Sequence, residues 1–386
     1  MTTKIAIINR SFWPASRVIG KVLLELSKEL SKDNNVSVIT QSSHDLTQFV
    51  EEENLETLKF SACKNLSDSS SSILMRIIDA IYFSLYLVIK LLSYKPDRVY
   101  ISTNPPVIAP FIASMYCKLF RKDLIYHVQD IHPEISESVT KIPRIFTRLL
   151  KMIDNFTINS AWKVITLTSG MLDYLERRSN STIKKVLLPN PGTSDFTEPQ
   201  MKNDSFIYCG NLGRLQKVDV LIESLENYYD RGGRLTTTFI GGGVFLPKIN
   251  ELSLRYPEKI QALGPLDPES SQVESSKHKW AFISLDDSAN QLAFPSKSSS
   301  YLIAKNNLIG ICGENSDLAN WIKDNKVGYV AGLTCEEITD LFFEIEHGSI
   351  SYHEIPDSFS DMLTIESHVQ ELKKIIEEKS HDEKNI

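Results

Sequence analysis

Cysteine is sparse and unpaired in this chain. Cys63, Cys117, Cys209, Cys312 and Cys335 stand apart, with neither CxxC nor Cys/His spacing, which argues against a cysteine-built metal site and fits reduced thiols in the cytosol. An excess of positive charge is missing too. Lys and Arg number 42 against 49 Asp and Glu, a formal charge of −7, which is the wrong sign for a protein that coats nucleic acid, so no nucleic-acid partner is expected. The first residues, MTTKIAIINR, hold one lysine and then a short strand-like run. That is not the long apolar region of a secretory signal, and a cytoplasmic location is expected. Nor is there an uncharged run of the ~20 residues that span a bilayer. The nearest, Ile73 to Leu92, reads as a long helix interrupted by Arg76, Asp79 and Lys90. Two readings of it stay open, a helix buried in the core and a helix resting an apolar face in a membrane interface. Lys141, Arg144, Arg148 and Lys151 lend support to the second by adding a basic cluster in the same half of the chain. The cytoplasmic membrane surface is therefore an expected partner, with the protein peripheral on its inner face. Repeats of solenoid period are absent.

What is present is alternation. At 386 residues, 42% apolar and 24% charged, the chain suits two globular domains of under ~200 residues each. Strand-like runs at 4–9, 35–40, 98–103, 123–128 and 163–168 alternate with helical patterns, as in a parallel sheet covered on both faces. A Pro, Gly and Asp-rich interval, 189–204, reads as a linker. The alternation then restarts at 205–210, 236–241, 280–285 and 308–313. The expectation is an α/β chain of two doubly wound, Rossmann-like domains facing a cleft, 1–195 and 196–365, followed by a docked helix and fraying tail over 366–386. Ligands are expected at the carboxyl ends of the strands and in that cleft.

The most telling segment is GNLGRLQKVDVLIESL, 210–225, which follows the apolar run Phe206 to Cys209. Val218, Leu221, Ile222 and Leu225 recur at helical spacing, so the segment reads strand, glycine turn, helix. Gly210 and Gly213 allow close backbone approach to an anion, the new helix offers unpaired N–H groups, and Arg214 and Lys217 add positive charge. Gly242, in the turn Gly241 to Gly243 after TTTFI, suits close approach to the same ligand.

Four segments resemble glycosyltransferase family 4 of the GT-B fold, in particular bacterial enzymes that build O-antigen, colanic acid and capsule repeats. FWPASRVIGKVLLELSKEL resembles the family's first loop and helix, with Trp13, Pro14, Gly20 and Lys21 matching. TNPP (103–106) followed by HVQDIHPE (127–134) resembles its S-x-P-P and Q/R-D-x-W-P-E pair. GNLGRLQKVD resembles G-N-x-G-x-x-Q-G-x-D, and FPSKSSSYLIAKNNLIGICG resembles the P-S-K-x-x-E-Y-M-A block. The segments run in family order across most of the chain, whereas any one alone is common in α/β proteins. Three positions depart: the glutamate that holds the donor ribose becomes Ser300, the second glycine of the glycine motif becomes Lys217, and the tryptophan of the acidic loop becomes His132.

The resemblance implies transfer of a sugar from a nucleotide-diphosphate sugar, with UDP expected, to a lipid-linked saccharide acceptor in surface polysaccharide synthesis: O-antigen of lipopolysaccharide, capsule or exopolysaccharide. It also implies retention of configuration by front-face attack. Donor binding falls to Gly20, Gly213, Arg214, Lys217, Gly242, Lys297 and Ser300, acceptor binding to Asn104 and His132. Asp130, His127 and Glu134, at the end of a first-domain strand, are the expected groups to position and deprotonate the acceptor. Asp286 and Asp287 are adjacent, so on a strand they point to opposite faces and make no metal pair; no metal and no other cofactor is expected. The alternatives are a sugar-nucleotide epimerase of the same fold and an inactive glycosyltransferase-like binding protein.

Overall fold

The computed structural model describes residues 2–16, 18–42, 49, 55, 58–67, 71–139, 143–192 and 201–379. The chain divides into two compact units, one of Met1–Leu188 with Val369–Ile386 and one of Pro189–His368.

In the first unit the strands are β1 (Lys4–Ile8), β2 (Asn35–Gln41), β3 (Lys59–Cys63), β4 (Arg98–Ser102), β5 (Asp123–Val128), β6 (Lys163–Thr166) and β7 (Lys185–Leu187). They form one sheet in the order β3-β2-β1-β4-β5-β6-β7, every pairing parallel. The central strands read as unbroken apolar runs because both faces are covered: Ala6, Ile7, Ile8, Val99, Tyr100, Ile101, Leu124 and Ile125 are all buried. The covering helices are α1 (Ile19–Ser31), α2 (Ile73–Tyr94), α3 (Ile108–Phe120), α4 (Glu134–Val139), α5 (Arg144–Ser160) and α6 (Ser169–Ser179).

Helix α2 corrects the buried-core reading. Asp79, Phe83, Leu87 and Leu91 recur every fourth residue and turn inward, yet the opposite face is apolar as well: Leu74, Ile77, Ile81, Leu85 and Ile89 are all more than half exposed. The described part, Leu74–Tyr94, is long and apolar enough to cross a membrane by length and composition, but its inward stripe is packed into the unit. α3 lies between α2 and α5 and adds exposed Met115, Leu119 and Phe120, while α5 adds Ile145, Phe146, Leu149 and Met152.

The second unit repeats the design with β8 (Asn203–Cys209), β9 (Thr236–Ile240), β10 (Ile260–Gly264), β11 (His278–Ser284), β12 (Asn307–Ile311) and β13 (Gly328–Ala331). Their order is β10-β9-β8-β11-β12-β13, again all parallel. Its helices are α7 (Val218–Asp230), α8 (Leu246–Arg255), α9 (Pro268–Ser276), α10 (Lys297–Ile303), α11 (Asp317–Asn325), α12 (Cys335–Glu346) and α13 (Asp357–Asp361), with α14 (Ile365–Glu377) at the end. Phe206, Phe282 and Phe342 meet at the centre of the core with ring centroids 5.0–5.4 Å apart. From Val369 onward α14 belongs to the first unit. There Lys373 pairs with Asp33 at 2.8 Å, and Lys163, buried on β6, donates to the Ile375 carbonyl at 2.8 Å. Residues 193–200 of the expected linker and 380–386 of the tail lie outside the described residues.

Both sheets reverse direction after their first strand, between β1 and β4 and between β8 and β11. In such sheets ligands gather at the carboxyl ends of the strands beside that reversal.

Candidate active site

In the second unit two glycine turns interlock at this point. The turn after β8 and the turn after β9 are tied by Gly210 N–H to the Ile240 carbonyl at 2.7 Å and by Leu212 N–H to the Gly242 carbonyl at 2.8 Å. Gly241 has φ +130°, and a methyl group added there would lie 1.8 Å from the Gly210 carbonyl oxygen. No other residue fits. At Gly213 a methyl group would meet Gln216 Oε1 at 2.6 Å, whereas at Gly242 it would only touch Pro265 at 3.5 Å, so Gly242 leaves open space in front of the backbone.

Lys297, the first residue of α10, lies across this turn. A methyl group on Gly210 would sit 2.8 Å from its Cε and 3.1 Å from its Nζ, and Nζ is 3.6 Å from Cys209 Sγ. Tyr301, one turn further along α10 and fully buried, fixes the register: its hydroxyl accepts from Cys209 N–H at 2.7 Å. Among the described residues no carboxylate pairs with Lys297 within 4 Å, and none pairs with the exposed Arg214. Ser300 is half-buried on the same helix, where its carbonyl accepts from Gln272 Nε2 at 3.0 Å.

Lys217 differs from the expectation. Its ammonium is already paired with Asp286 at 2.7 Å, an ion pair that raises the lysine pKa further and withdraws its charge from a phosphate. Its backbone explains the position instead. Lys217 caps α7 in the left-handed region, φ +46° and ψ +37°, where glycine is the unstrained choice. Asp286 and Asp287 are not on a strand but just after β11, where Asp286 also accepts Ser288 N–H at 2.8 Å and Asp287 accepts Gly313 N–H at 3.0 Å. Among the described residues no group of three or more His, Cys, Asp or Glu is placed to hold a metal ion.

In the first unit the end of β5, the loop after it and the start of α4 carry the expected acceptor groups, and their environments separate them. His127 is fully buried, with Nδ1 2.7 Å from the Tyr100 hydroxyl on β4, an interior position that no acceptor reaches directly. Glu134 is also buried, accepting from Arg178 Nη1 and the Tyr174 hydroxyl, each at 3.0 Å, with Lys151 Nζ at 3.4 Å. Arg178 also pairs with buried Asp154, which accepts from the Tyr126 hydroxyl at 2.8 Å. Glu134 is thus the anchor of a buried charge network that stiffens the loop. His132 has Nδ1 2.9 Å from Ser136 Oγ, and burial lowers its pKa to about 4, so its ring is neutral near pH 7. Asp130 alone points to solvent, and the surrounding protein still desolvates it enough to raise its carboxyl pKa above the ordinary value.

Asn104, after β4, donates from Nδ2 to Ser11 Oγ at 2.9 Å, while its carbonyl accepts Arg10 N–H at 2.7 Å. The loops after β1 and β4 are thereby joined at the sheet reversal. The peptides Trp13–Pro14, Asn104–Pro105 and His132–Pro133 are all cis. Gly20 serves close packing: a methyl group there would lie 2.5 Å from Trp13 N, so α1 begins directly against the loop after β1. Of the four basic residues expected as a cluster, Lys141 lies outside the described residues, Lys151 turns to Glu134, and Arg144 and Arg148 are exposed.

Sequence reasoning did not find the Arg178–Asp154–Glu134 network, whose members lie 20 to 44 residues apart on different helices. It also missed a cavity of about 490 Å³ in the first unit, lined by Arg10, Ser11, Gln41, Arg76 and Asp79 among others.

By sequence, no protein-family model and no curated protein matches the chain. Solved structures do. The chain is similar to Anabaena Alr3699/HepE, crystallised in complex with UDP, at TM-score 0.61 and 12% identity over 97% of this chain and 95% of that one. It is similar to WaaG, a glycosyltransferase involved in lipopolysaccharide biosynthesis, at TM-score 0.64 and 13% identity over 97% and 100%. A putative UDP-N-acetylglucosamine 2-epimerase from Listeria monocytogenes aligns less well, at TM-score 0.57 and 12% identity over 98% of each chain. With two Rossmann-like units of the same strand order and these neighbours end to end, the chain has the GT-B fold.

Proposed function

We propose that this protein is a glycosyltransferase that moves a sugar from a nucleotide-diphosphate sugar, UDP-linked, to a lipid-linked saccharide acceptor in bacterial surface polysaccharide synthesis. The observation that carries the reading is Lys297 laid across Gly210, between two interlocked glycine turns at the carboxyl ends of β8 and β9. Sugar transfer leaves a diphosphate, and a cation held in advance beside a glycine turn stabilises the charge that develops as the bond to the anomeric carbon breaks. Arg214 adds a second, exposed cation. An epimerase of this fold needs carboxylates around the sugar in the second unit. The nearby Asp286 and Asp287 are instead occupied by Lys217, Ser288 and Gly313, which favours transfer.

On the acceptor side Asp130 is the group with access, and its raised pKa brings it nearer to a proton acceptor's working range. The acceptor oxygen bonds to the anomeric carbon as the diphosphate leaves, its proton passing to Asp130 or to the departing phosphate oxygen. Retention by front-face attack, which we adopt for this protein, needs no protein nucleophile. The apolar layer of α2, α3 and α5 supports a lipid-bound acceptor. Leu85, Leu119 and Ile145 are 63%, 75% and 76% exposed on it, beside the exposed Arg144 and Arg148, a combination suited to an anionic membrane surface.

The test is incubation of the protein with a panel of UDP- and GDP-sugars and a lipid-diphosphate saccharide, scored for nucleotide release and product mass. Transfer from a UDP-sugar is the expected result. Epimerised donor without transfer, or no nucleotide binding at all, contradicts the reading.

A further inference from the structure

The cavity in the first unit lies over the carboxyl ends of β1 and β2, beside the reversal of strand order where ligands of such sheets gather. Its volume of about 490 Å³ falls in the ~300–1,000 Å³ range of small-molecule sites. Its charges are already matched. Asp79, on the second turn of α2, is buried, which by itself would raise its pKa. Bonds from Ser67 Oγ at 2.7 Å, Gln41 Nε2 at 2.8 Å and Leu66 N–H at 3.1 Å, with the charge of Arg10, outweigh burial and hold its carboxyl below the usual carboxylate range. Asp79 is therefore ionised and offsets Arg10, while Arg76 is engaged in an interaction of its own. Among the described lining residues no charge is then free to select an ionic ligand.

What remains is uncharged hydrogen-bonding capacity. Gln41, the last residue of β2, is 3% exposed. It turns Nε2 to the Asp79 carboxylate and, at 3.4 Å, to the Lys64 carbonyl, with Cys63 beside the amide. Both of those oxygens are acceptors, so the hydrogen-bond network fixes which end of the amide is nitrogen. Its Oε1 has no partner among the described residues, and a buried acceptor in that state is costly until a donor reaches it. Ser11, in the loop after β1, accepts from Asn104 Nδ2 at 2.9 Å, which leaves its own O–H to donate. Ser67 gives its O–H to Asp79 and keeps lone pairs to accept, and the exposed Asn65 brings an amide that does both. Only Ala15 is apolar among the described lining residues. Single donors and acceptors interleaved in this way match the hydroxyls of a sugar, each of which donates and accepts. Asp130 follows β5, two strands from β1, a lateral separation of about 10 Å at the usual ~4.8 Å strand spacing. A sugar in the cavity is thus not the unit whose hydroxyl meets Asp130 but one set back from it.

We propose that this cavity is a saccharide subsite, taking an uncharged sugar unit of the acceptor set back from the unit that is glycosylated, with Gln41 Oε1 and Ser11 Oγ bonded to its hydroxyls. The assignment to the acceptor rests on the glycosyltransferase reading, while the saccharide site itself does not.

Calorimetry on the full-length protein separates the two. UDP is titrated first, and its binding tests the donor site of the second unit. Methyl glycosides of glucose, galactose, mannose and N-acetylglucosamine are then titrated into the same protein, with inorganic phosphate as a charged competitor. At least one glycoside is expected to bind, and phosphate is expected not to displace it. Gln41→Met and Ala15→Trp, the second filling the cavity from the loop after β1, should each weaken that glycoside by about fivefold or more, with UDP affinity unchanged within about twofold. Ala15 is exposed, so its variant keeps the test open if Gln41→Met unfolds. Asp130→Asn should leave glycoside affinity within about twofold, because its carboxylate lies outside the cavity. Glycoside binding without UDP binding upholds the saccharide site and removes its assignment to an acceptor. No binding by any of the glycosides, or binding undiminished in both cavity variants, overturns the site. Displacement by phosphate overturns its uncharged ligand, and a fivefold loss in Asp130→Asn overturns the set-back position.

Discussion

Replacing Lys217 by glycine separates two roles that the sequence merges. The structure gives this residue a left-handed backbone and an ion pair with Asp286 at 2.7 Å. A side chain in that conformation costs roughly 1–2 kcal/mol relative to glycine. The pair is about 30% exposed on the lysine side and 24% on the aspartate side, and contributes about 0.2–1 kcal/mol when discounted for solvent. Lys217→Gly removes both terms, so the stability change should fall between about 0 and 2 kcal/mol in favour of the variant. Lys217→Ala keeps the strain and loses the pair, and should be the less stable of the two by about 1–2 kcal/mol. Because the ammonium is committed to Asp286, UDP affinity should stay within threefold in both variants. Melting temperature and UDP calorimetry read the two quantities independently. A tenfold or greater loss of UDP affinity in Lys217→Gly, with the melting temperature unchanged, refutes the reasoning and returns Lys217 to the phosphate site.

Arg178→Met leaves Glu134 and Asp154 buried without their shared cation and should destabilise the first unit by about 3–5 kcal/mol; adding Glu134→Gln and Asp154→Asn should recover much of the loss in a thermal melt, and an unchanged melting temperature in the single variant contradicts the network. His278 and His368 are buried, and burial lowers both pKa values to about 4, with Glu274 pulling His278 the other way. Between pH 6.5 and about 4 the unfolded chain therefore binds protons that the folded chain does not, and stability should fall as pH is lowered through that window, by up to about 3 kcal/mol per histidine. His368→Gln should flatten the melting-temperature profile there, and a profile as steep as the parent's excludes His368 as a cause. Anionic vesicles should retain the protein at low salt and release it as salt rises. Leu85→Glu with Leu119→Glu and Ile145→Glu should abolish retention without lowering the melting temperature, whereas a protein that ignores vesicles at low salt removes the membrane face.

The sequence was legible where the fold buries it on both sides. All nine strand-like runs correspond to strands, and the four strands it did not announce, β3, β7, β10 and β13, are the four edges of the two sheets. An edge strand is half-exposed, as with the Lys185–Leu187 pattern of exposed and intermediate residues, so it lacks the continuous apolar run of a central strand. Lys297 and the glycine turns were readable because one local segment holds their chemistry. His127 and Glu134 were not readable as interior groups, because what occupies them, Tyr100, Tyr174 and Arg178, comes from separate elements brought together only by folding. The same holds for the Lys217–Asp286 pair and for the cavity between β1, β2 and α2.

The central claim is that Lys297 stabilises the diphosphate as the sugar leaves it. It is tested most directly by the initial rate of sugar transfer from a UDP-sugar in Lys297→Ala against the parent protein, at equal folding by circular dichroism. One preorganised charge contact of roughly 3 kcal/mol corresponds to a fall of at least ~100-fold. A rate within a few-fold of the parent's contradicts the account.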